Sequence, residues 1–243
     1  MMVHWCAGSF NDYFLFCVMA TISTNEYVLR DVTVRFEKIP ALHHVNLDIH
    51  RGDMILLHGP TGAGKTTLLR LLYFDVLPQD GSVLFRGKNI AGLSSSEIAQ
   101  ERGHIGVVFQ DAKLIPHYNI LDNVMIPLRI AGITKAQAIL QAVEVMSELG
   151  ISYVRDKMPR DLSGGERSLT AFARAIVHKP SVLIADEPTA NLDEGTAQTI
   201  ISAMQRLSQK GTTIILSTHN AATVRELPLA RIIRLHDGSI QSV

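Results

Sequence analysis

The sequence has few cysteines and no excess of charge of either sign. Its two cysteines, Cys6 and Cys17, both lie near the start of a chain of 243 residues. So few thiols argue against a disulfide framework or a cysteine-built metal centre, and a reducing cytoplasm is the expected compartment. Lys plus Arg and Asp plus Glu each total 23, which gives a formal net charge of zero. The lack of a basic excess argues against a nucleic-acid-binding protein.

Long apolar runs are also lacking, and none reaches the length that a membrane span needs. The apolar run 13–20 resembles the core of a signal peptide, yet no Lys or Arg precedes Arg30, and such a peptide needs a positively charged start. We therefore expect residues 1–24 to be an N-terminal extension outside the fold, and a true start near Met19 would account for the residues that precede it. Residues 25–243 have the length for one sizeable core, which favours a single domain with a subdomain.

The sequence does contain one stretch with the spacing of a phosphate-binding loop. It lies between the apolar run 54–58 and the helical pattern 68–72, and it fits G-x-x-x-x-G-K-[ST]. Its residues are Gly59, Pro60, Thr61, Gly62, Ala63, Gly64, Lys65, Thr66 and Thr67. The glycines let successive N–H groups turn toward phosphate oxygens, and the start of the following helix adds further donors. In such a loop Lys65 reaches the β- and γ-phosphates of a nucleotide and the Thr66 hydroxyl ligates Mg²⁺.

The order of the remaining patterns predicts an α/β fold. Alternating apolar residues predict strands over 27–36 and 45–49, and together with 82–85 these would form a small antiparallel β-subdomain. Further strands are predicted over 54–58, 105–109, 181–185 and 212–216, and the continuous apolar run at 181–185 is typical of a central parallel strand. A last hairpin is expected around Asp237-Gly238.

Strand patterns stop between Asp111 and Asp161, which predicts an inserted α-helical subdomain over about 112–165. Residues 119–130 have a helical pattern that Pro127 is expected to interrupt. A second helix is expected to open at Thr134. The apolar residues that recur in it at helical spacing would face the core, and they are Ala136, Ile139, Leu140, Val143 and Met146.

Polar residues follow the predicted parallel strands at the point where each strand ends. Because ligands of doubly wound sheets lie at the carboxyl ends of the strands, these residues and the phosphate loop would converge if the strands are neighbours. Asp186 is then placed to hold Mg²⁺, and Glu187 to orient and polarise the attacking water. Gln110 can contact the metal or the water, and His219 can hydrogen-bond the γ-phosphate. Taken alone, either residue would more often be an ordinary hydrogen-bonded polar residue in a loop.

A second glycine turn lies in the stretch Leu-Ser-Gly-Gly-Glu at 162–166. Ser163, Gly164 and Gly165 precede a helical pattern and resemble another phosphate-binding turn. The chain therefore contains two half-sites.

The motifs in this order resemble the ATP-binding-cassette (ABC) ATPases from Tyr27 onward. Within that family, the stretches 122–128 and 188–193 look most like the FtsE-like cell-division ATPases and the related lipoprotein-releasing and macrolide-export ATPases. The resemblance implies a P-loop NTPase with a parallel core sheet, an N-terminal antiparallel β-subdomain and an inserted helical subdomain. It also implies Mg²⁺-dependent hydrolysis of ATP at the cytoplasmic face of the cell membrane, through a permease-like membrane partner that is FtsX-like in the cell-division case.

The resemblance also implies roles for particular residues. Phe36 would stack on adenine, where the family usually has tyrosine. Two copies of the chain would pack head to tail, so that Ser163, Gly164 and Gly165 of one copy close over the γ-phosphate held by Lys65 of the other. Asp193 would lie at the seam between the copies, and Gln110 would link the site to a membrane partner resting on the helical subdomain.

One segment departs from the family pattern. After the Leu-Ser-Gly-Gly-Glu signature the family usually reads Gln-Gln-Arg, whereas this chain has Arg167-Ser168-Leu169. The contacts that these polar side chains make in the family are therefore not assigned to residues 167–169 of this chain.

Three alternatives to a cell-division role remain at this point. The chain can be the motor of a lipoprotein-releasing or macrolide-type exporter, or an ATP-gated regulatory module with little turnover. A soluble nucleic-acid ATPase of the same fold is disfavoured by the neutral charge.

Overall fold

The computed structural model describes residues 25–37, 39–219 and 221–242, so the predicted extension over 1–24 lies outside the described residues. The strands are β1 (Asn25–Phe36), β2 (Ile39–His50), β3 (Met54–His58), β4 (Asp80–Phe85), β5 (Lys88–Asn89), β6 (Ile105–Val108), β7 (Val182–Asp186), β8 (Thr213–Ser217), β9 (Arg231–His236) and β10 (Ser239–Ser242). The helices are α1 (Lys65–Leu72), α2 (Ser95–Arg102), α3 (Ile120–Ile130), α4 (Lys135–Glu148), α5 (Gly164–Ile176), α6 (Glu194–Gln209) and α7 (Ala221–Glu226).

The strands form two sheets of different character. The first is antiparallel, with the order β2-β1-β4-β5, and the second has the order β10-β9-β3-β8-β7-β6. In the second sheet the strands from β9 to β6 run parallel, and β10 pairs with β9 in the predicted hairpin. The α/β prediction is confirmed. Because β3, β8, β7 and β6 are adjacent, their carboxyl ends all lie at one edge of the sheet.

Apolar cores cover both faces of the parallel sheet. Successive side chains of a strand point to opposite faces. On β3, Ile55 and Leu57 pack with α1 and the antiparallel sheet, whereas Leu56 packs with α5 and the helices of the insertion. Burial on both faces explains why these strands read as continuous apolar runs in the sequence.

The prediction that Pro127 interrupts its helix is wrong. α3 runs through Pro127 to Ile130, and the Pro127 carbonyl accepts from the Ala131 N–H at 3.0 Å. Proline has a helical φ and removes only one backbone donor. The buried side chains of Val124, Met125 and Leu128 anchor the helix on either side of that gap.

The predicted core face of α4 is only partly correct. Met146 is buried, but Ala136 is exposed and Leu140 is 71% exposed. The buried row is Ala138, Ala142 and Met146, at a spacing of four residues. Two overlapping apolar stripes run along this helix, and the small alanines allow the closer approach to the core. Among the described residues, no helix combines the length and apolar character needed to cross a membrane.

Candidate active site

The strand ends of the parallel sheet surround one cavity of about 290 Å³. It brings together most of the residues that the sequence singles out. Its lining comprises Ala41, Thr61, Gly62, Gly64, Lys65, Thr66, Thr67, Gln110, Asp186, Glu187 and His219. The convergence predicted from the neighbouring parallel strands therefore occurs in the structure.

The phosphate loop joins β3 to α1 in a conformation that requires glycine. Gly62 and Gly64 have φ of 82° and 98°, in the left-handed region that other residues avoid. A Cβ on Gly59 would lie 2.2 Å from the Leu235 carbonyl oxygen on β9. Gly64 is the N-cap of α1 and offers no side-chain cap, so first-turn N–H groups of α1 are left for an anion.

Lys65 is the buried cation of this loop. Its Nζ donates to the carbonyl oxygens of Gly59 at 2.8 Å and Pro60 at 2.9 Å. These bonds hold the ammonium group over the loop. Ala63 is buried in the loop, and its N–H donates to the Pro60 carbonyl at 3.2 Å.

A second corner of the cavity carries oxygen donors suited to Mg²⁺. The Thr66 hydroxyl donates to Asp186 Oδ2 at 2.8 Å, and Gln110 lines the same cavity. Hydroxyl, carboxylate and amide oxygens are the hard ligands that this ion takes, together with water and phosphate oxygens. Within the described ranges no group of three or more His, Cys, Asp and Glu residues can hold a metal. The oxygens of Thr66, Asp186 and Gln110 suit a magnesium ion that takes its other ligands from water and a nucleotide.

Glu187 lies beside this corner and is held by His219. Their Oε1 and Nδ1 atoms are 2.8 Å apart, and the His219 backbone N–H donates to Glu187 Oε2 at 3.4 Å. The Glu187 side chain is 11% exposed, whereas that of His219 is 69% exposed. The structure thus pairs His219 with the carboxylate, and its contact with a γ-phosphate stays a prediction.

Sequence reasoning missed Ser217, the last residue of β8. Its hydroxyl donates to Asp186 Oδ1 at 2.5 Å and accepts from the Glu187 N–H at 3.0 Å. Ser217 follows the apolar residues of β8 and belongs to no recognised motif. Only its position at the end of the strand, where it pairs with Asp186 of β7, marks it as a site residue.

The glycine turn of the signature lies outside the cavity around Lys65. Ser163 is the N-cap of α5, and its hydroxyl accepts from the Glu166 N–H. In return the Glu166 carboxylate accepts from the Ser163 N–H at 2.7 Å, and this bond contributes most to lowering the pKa of Glu166 to about 2. Gly164 and Gly165 form the first turn of α5. Within one chain, the two half-sites are therefore separate.

Asp193 lies against this turn. It caps α6 through Thr196, whose hydroxyl bond is the main cause of the lowered pKa of Asp193. A Cβ on Gly165 would lie 3.0 Å from Thr196 Oγ1 and 3.6 Å from Asp193 Oδ2. The start of α6 thus supports the back of the signature turn.

Phe36 also lies outside the cavity, at the end of β1. Its ring is 42% exposed, and the Arg70 guanidinium of α1 lies 5.5 Å from the ring centroid. The contact places an accessible aromatic face next to the helix that follows the phosphate loop.

The departure after the signature leaves α5 intact. Arg167 donates to the Leu162 carbonyl at 2.8 Å, and the Ser168 hydroxyl donates to the Gly164 carbonyl at 3.2 Å. Leu169 is buried in the core shared with the helical insertion. Where the family usually has arginine, this chain therefore has an apolar contact.

A phosphate loop and acidic strand ends on a parallel sheet, combined with a glycine turn on a helical insertion, define the ATP-binding cassette as a class. The family model described as ABC transporter matches residues 42–190, and the chain belongs to this family. It is an ABC ATPase, an enzyme that hydrolyses ATP.

The chain is similar to known proteins over most of its length. It is 35% identical over 202 residues to the cell division ATP-binding protein FtsE of Bacillus subtilis (strain 168), covering 83% of this chain and 88% of that protein. It is 38% identical over 205 residues to the lipoprotein-releasing system ATP-binding protein LolD of Geobacter metallireducens, covering 84% and 90%. A dimeric post-hydrolysis structure of the ATP-binding cassette MJ0796 bound to ADP and Pi is 30% identical, with a TM-score of 0.83 over 89% of this chain and 97% of that one.

Proposed function

We propose that this chain is the ATP-hydrolysing subunit of an FtsE-like cell-division complex and works with an FtsX-like membrane protein. The observation that carries the catalytic part is the Glu187 carboxylate, fixed by His219 at 2.8 Å on the rim of the phosphate-loop cavity. Likeness to FtsE along nearly the whole chain supports the cell-division part.

The site residues divide the work of in-line attack by water on the γ-phosphate. Lys65 and the N–H groups of the loop bind the phosphates, and Thr66, Gln110 and Asp186 hold Mg²⁺. Bound there, the ion neutralises negative charge on the phosphate oxygens. Glu187 orients the water and accepts its proton.

A second copy of the chain completes the site. Ser163, Gly164 and Gly165 lie away from Lys65 in one chain, and the dimeric state of the related cassette MJ0796 supports closure between copies. In the closed dimer the signature turn donates N–H groups to the γ-phosphate, Asp193 lies at the seam, and Phe36 stacks on adenine.

The membrane partner docks in a groove of about 790 Å³ between the parallel sheet and the helical insertion. Apolar side chains of Ile105, Ile126 and Ile130 line it, and its charged lining residues, Arg102, Lys113 and Arg174, are all cationic. Such a groove fits an apolar segment that carries acidic side chains.

Arg174 is the strongest reason to expect an acidic group in that segment. Its guanidinium donates to the carbonyls of Ala112 at 2.6 Å and Lys113 at 2.8 Å, and burial lowers its pKa. The loop that supplies these carbonyls follows β6 and includes Gln110, which lines the phosphate cavity. Docking of the partner at Arg174 would therefore shift this loop and with it the position of Gln110.

Copurification tests the assignment to cell division. We expect the tagged chain, isolated from membranes of its own cells with ATP and Mg²⁺, to bring down an FtsX-like protein. Arg174→Glu should release it, whereas Arg206→Glu, on a different helix, should not. Recovery of a lipoprotein-releasing permease instead would establish the second candidate, which the likeness to LolD favours.

A further inference from the structure

Ser217 connects the two acidic residues of the site. It is fully buried at the end of β8, directly opposite Asp186 in the ladder between β7 and β8. Because a backbone N–H only donates and an ionised carboxylate only accepts, the direction of both bonds is fixed. The Glu187 N–H donates to Ser217 Oγ, and the Ser217 hydroxyl donates to Asp186 Oδ1.

We propose that Ser217 is a positioning residue for ATP hydrolysis, which sets the Asp186 carboxylate and the Glu187 backbone together. The inference rests on the roles proposed above for Asp186 and Glu187. Ser217 itself contacts neither nucleotide nor water, and it acts through its two neighbours.

The Asp186 carboxylate is held from both sides. Ser217 binds Oδ1 and Thr66 binds Oδ2, so one hydroxyl comes from a neighbouring strand and one from α1. Thr66 belongs to the phosphate loop and would exchange this bond for a metal contact. The bond from Ser217 then remains to keep the carboxylate oriented, because β8 is fixed by the sheet.

Glu187 depends on Ser217 in a different way. Its φ is 49°, in the left-handed region that is costly for a residue with a side chain. Its N–H points at Ser217, with the carbonyl oxygen at 3.2 Å and the hydroxyl oxygen at 3.0 Å. This anchor turns the chain at the end of β7 so that the Glu187 side chain reaches His219.

Steady-state kinetics of Ser217→Ala tests the proposal. We expect kcat to fall by about tenfold or more, as for loss of a hydrogen bond to a charged group, and the Mg²⁺ concentration for half-maximal rate to rise. Nucleotide affinity measured by calorimetry without Mg²⁺ should be unchanged, since the phosphate loop is intact. Ser217→Thr keeps the hydroxyl and should retain most of kcat.

Thr213→Ala is the matched control. Thr213 is buried at the other end of the same strand, and its hydroxyl accepts from the Gly52 N–H at 2.9 Å. Removing it deletes a buried hydroxyl of β8 without touching Asp186 or Glu187. We expect lower thermal stability with normal kcat and normal Mg²⁺ dependence.

A folded Ser217→Ala variant with wild-type kcat and Mg²⁺ dependence would overturn the proposal, provided that Glu187→Gln is inactive. If Glu187→Gln itself turned over normally, the proposed function would fail instead. Should Ser217→Ala not fold, Ser217→Cys keeps nearly the same volume with a weaker donor, and the same measurements decide.

Discussion

At the scale of single residues, the site depends on side chains whose geometry is fixed before a nucleotide arrives. Glu187 illustrates this, since its strained backbone is anchored on β8 and its carboxylate is bonded to both the ring and the backbone of His219. A side chain held in this way needs little reorganisation to act on a water molecule. A variant that keeps the shape of Glu187 but cannot accept a proton should therefore still close around ATP without hydrolysing it.

Glu187→Gln should lower kcat by about a hundredfold or more, the usual effect of removing a general base. The amide keeps the shape of the side chain, so ATP still binds, and a closed dimer should accumulate because it cannot hydrolyse the nucleotide. Light scattering with ATP and an assay of phosphate release measure the two effects. Glu144→Gln, on an exposed face of α4, is the control. A wild-type rate in the purified variant would show that Glu187 is not the base.

Lys65→Ala should remove measurable ATP binding. Lys65 is the cation of the phosphate loop, and the alanine leaves the phosphates without a charge-assisted bond from a side chain of that loop. Isothermal titration calorimetry with ATP and Mg²⁺ checks this, with Lys210→Ala at the exposed end of α6 as the matched loss of a positive charge. Unchanged affinity would contradict the role of Lys65.

At the scale of secondary-structure elements, the start of α5 is stabilised by its own sequence. Ser163 and Glu166 form a capping box, and Lys157 lies 3.4 Å from the Glu166 carboxylate. The signature turn can therefore keep its shape although it projects away from the cavity of its own chain. Its rigidity matters if a second copy has to fit against it.

Glu166→Gln should destabilise the protein at neutral pH and much less in acid. The pKa of Glu166 is about 2 in the folded chain against an ordinary value of 4.5, so the ionised carboxylate stabilises the fold above pH 4.5. That stabilisation is lost as the pH falls toward 2. Urea denaturation should show that the difference in free energy of unfolding between wild type and variant is smaller at low pH than at pH 7. Glu148→Gln, at the exposed end of α4, should show no such change, and a gap independent of pH would refute the account.

Elements with strong local patterns could be predicted from the sequence, and those decided by packing could not. The phosphate loop, the parallel strands and the turn at Asp237-Gly238 each have a short signature, and the structure contains them. The buried face of α4 differs from the predicted one, because the small Ala138 is buried whereas the more apolar Leu140 is 71% exposed on a second stripe. Ser217 could not be identified, because its role depends on the pairing of β7 with β8.

At the scale of the whole molecule, one buried carboxylate ties the two sheets together. Glu26 on β1 is 1% exposed and pairs with Arg51 at 3.1 Å and Arg86 at 2.7 Å. Arg86 also donates to Ser181, just before β7 of the parallel sheet. The antiparallel subdomain is thereby fixed against the sheet that carries the site.

Glu26→Ala should lower the free energy of unfolding by about 1–3 kcal/mol, because Arg86 loses the carboxylate that pairs with it, whereas the half-exposed Arg51 can be hydrated instead. Urea denaturation followed by circular dichroism measures the loss. Asp156→Ala removes the exposed pair with Arg155 and should change little, as surface ion pairs do. Equal stability of the two variants would mean that Glu26 contributes no more than a surface charge.

The proposed head-to-tail dimer predicts that two inactive variants restore each other. Lys65→Ala disables the phosphate loop, and Gly164→Asp places a carboxylate on the signature turn, where a Cβ meets nothing within 4 Å in its own chain. Each variant alone should fold without hydrolysing ATP. In a mixed dimer, intact Lys65 faces intact Gly164 at one of the two sites, so mixing should recover ATPase activity that neither variant has. Mixing Lys65→Ala with the double variant should recover none. If the mixed single variants also stay inactive while they form dimers with ATP, the copies do not share their sites in this way.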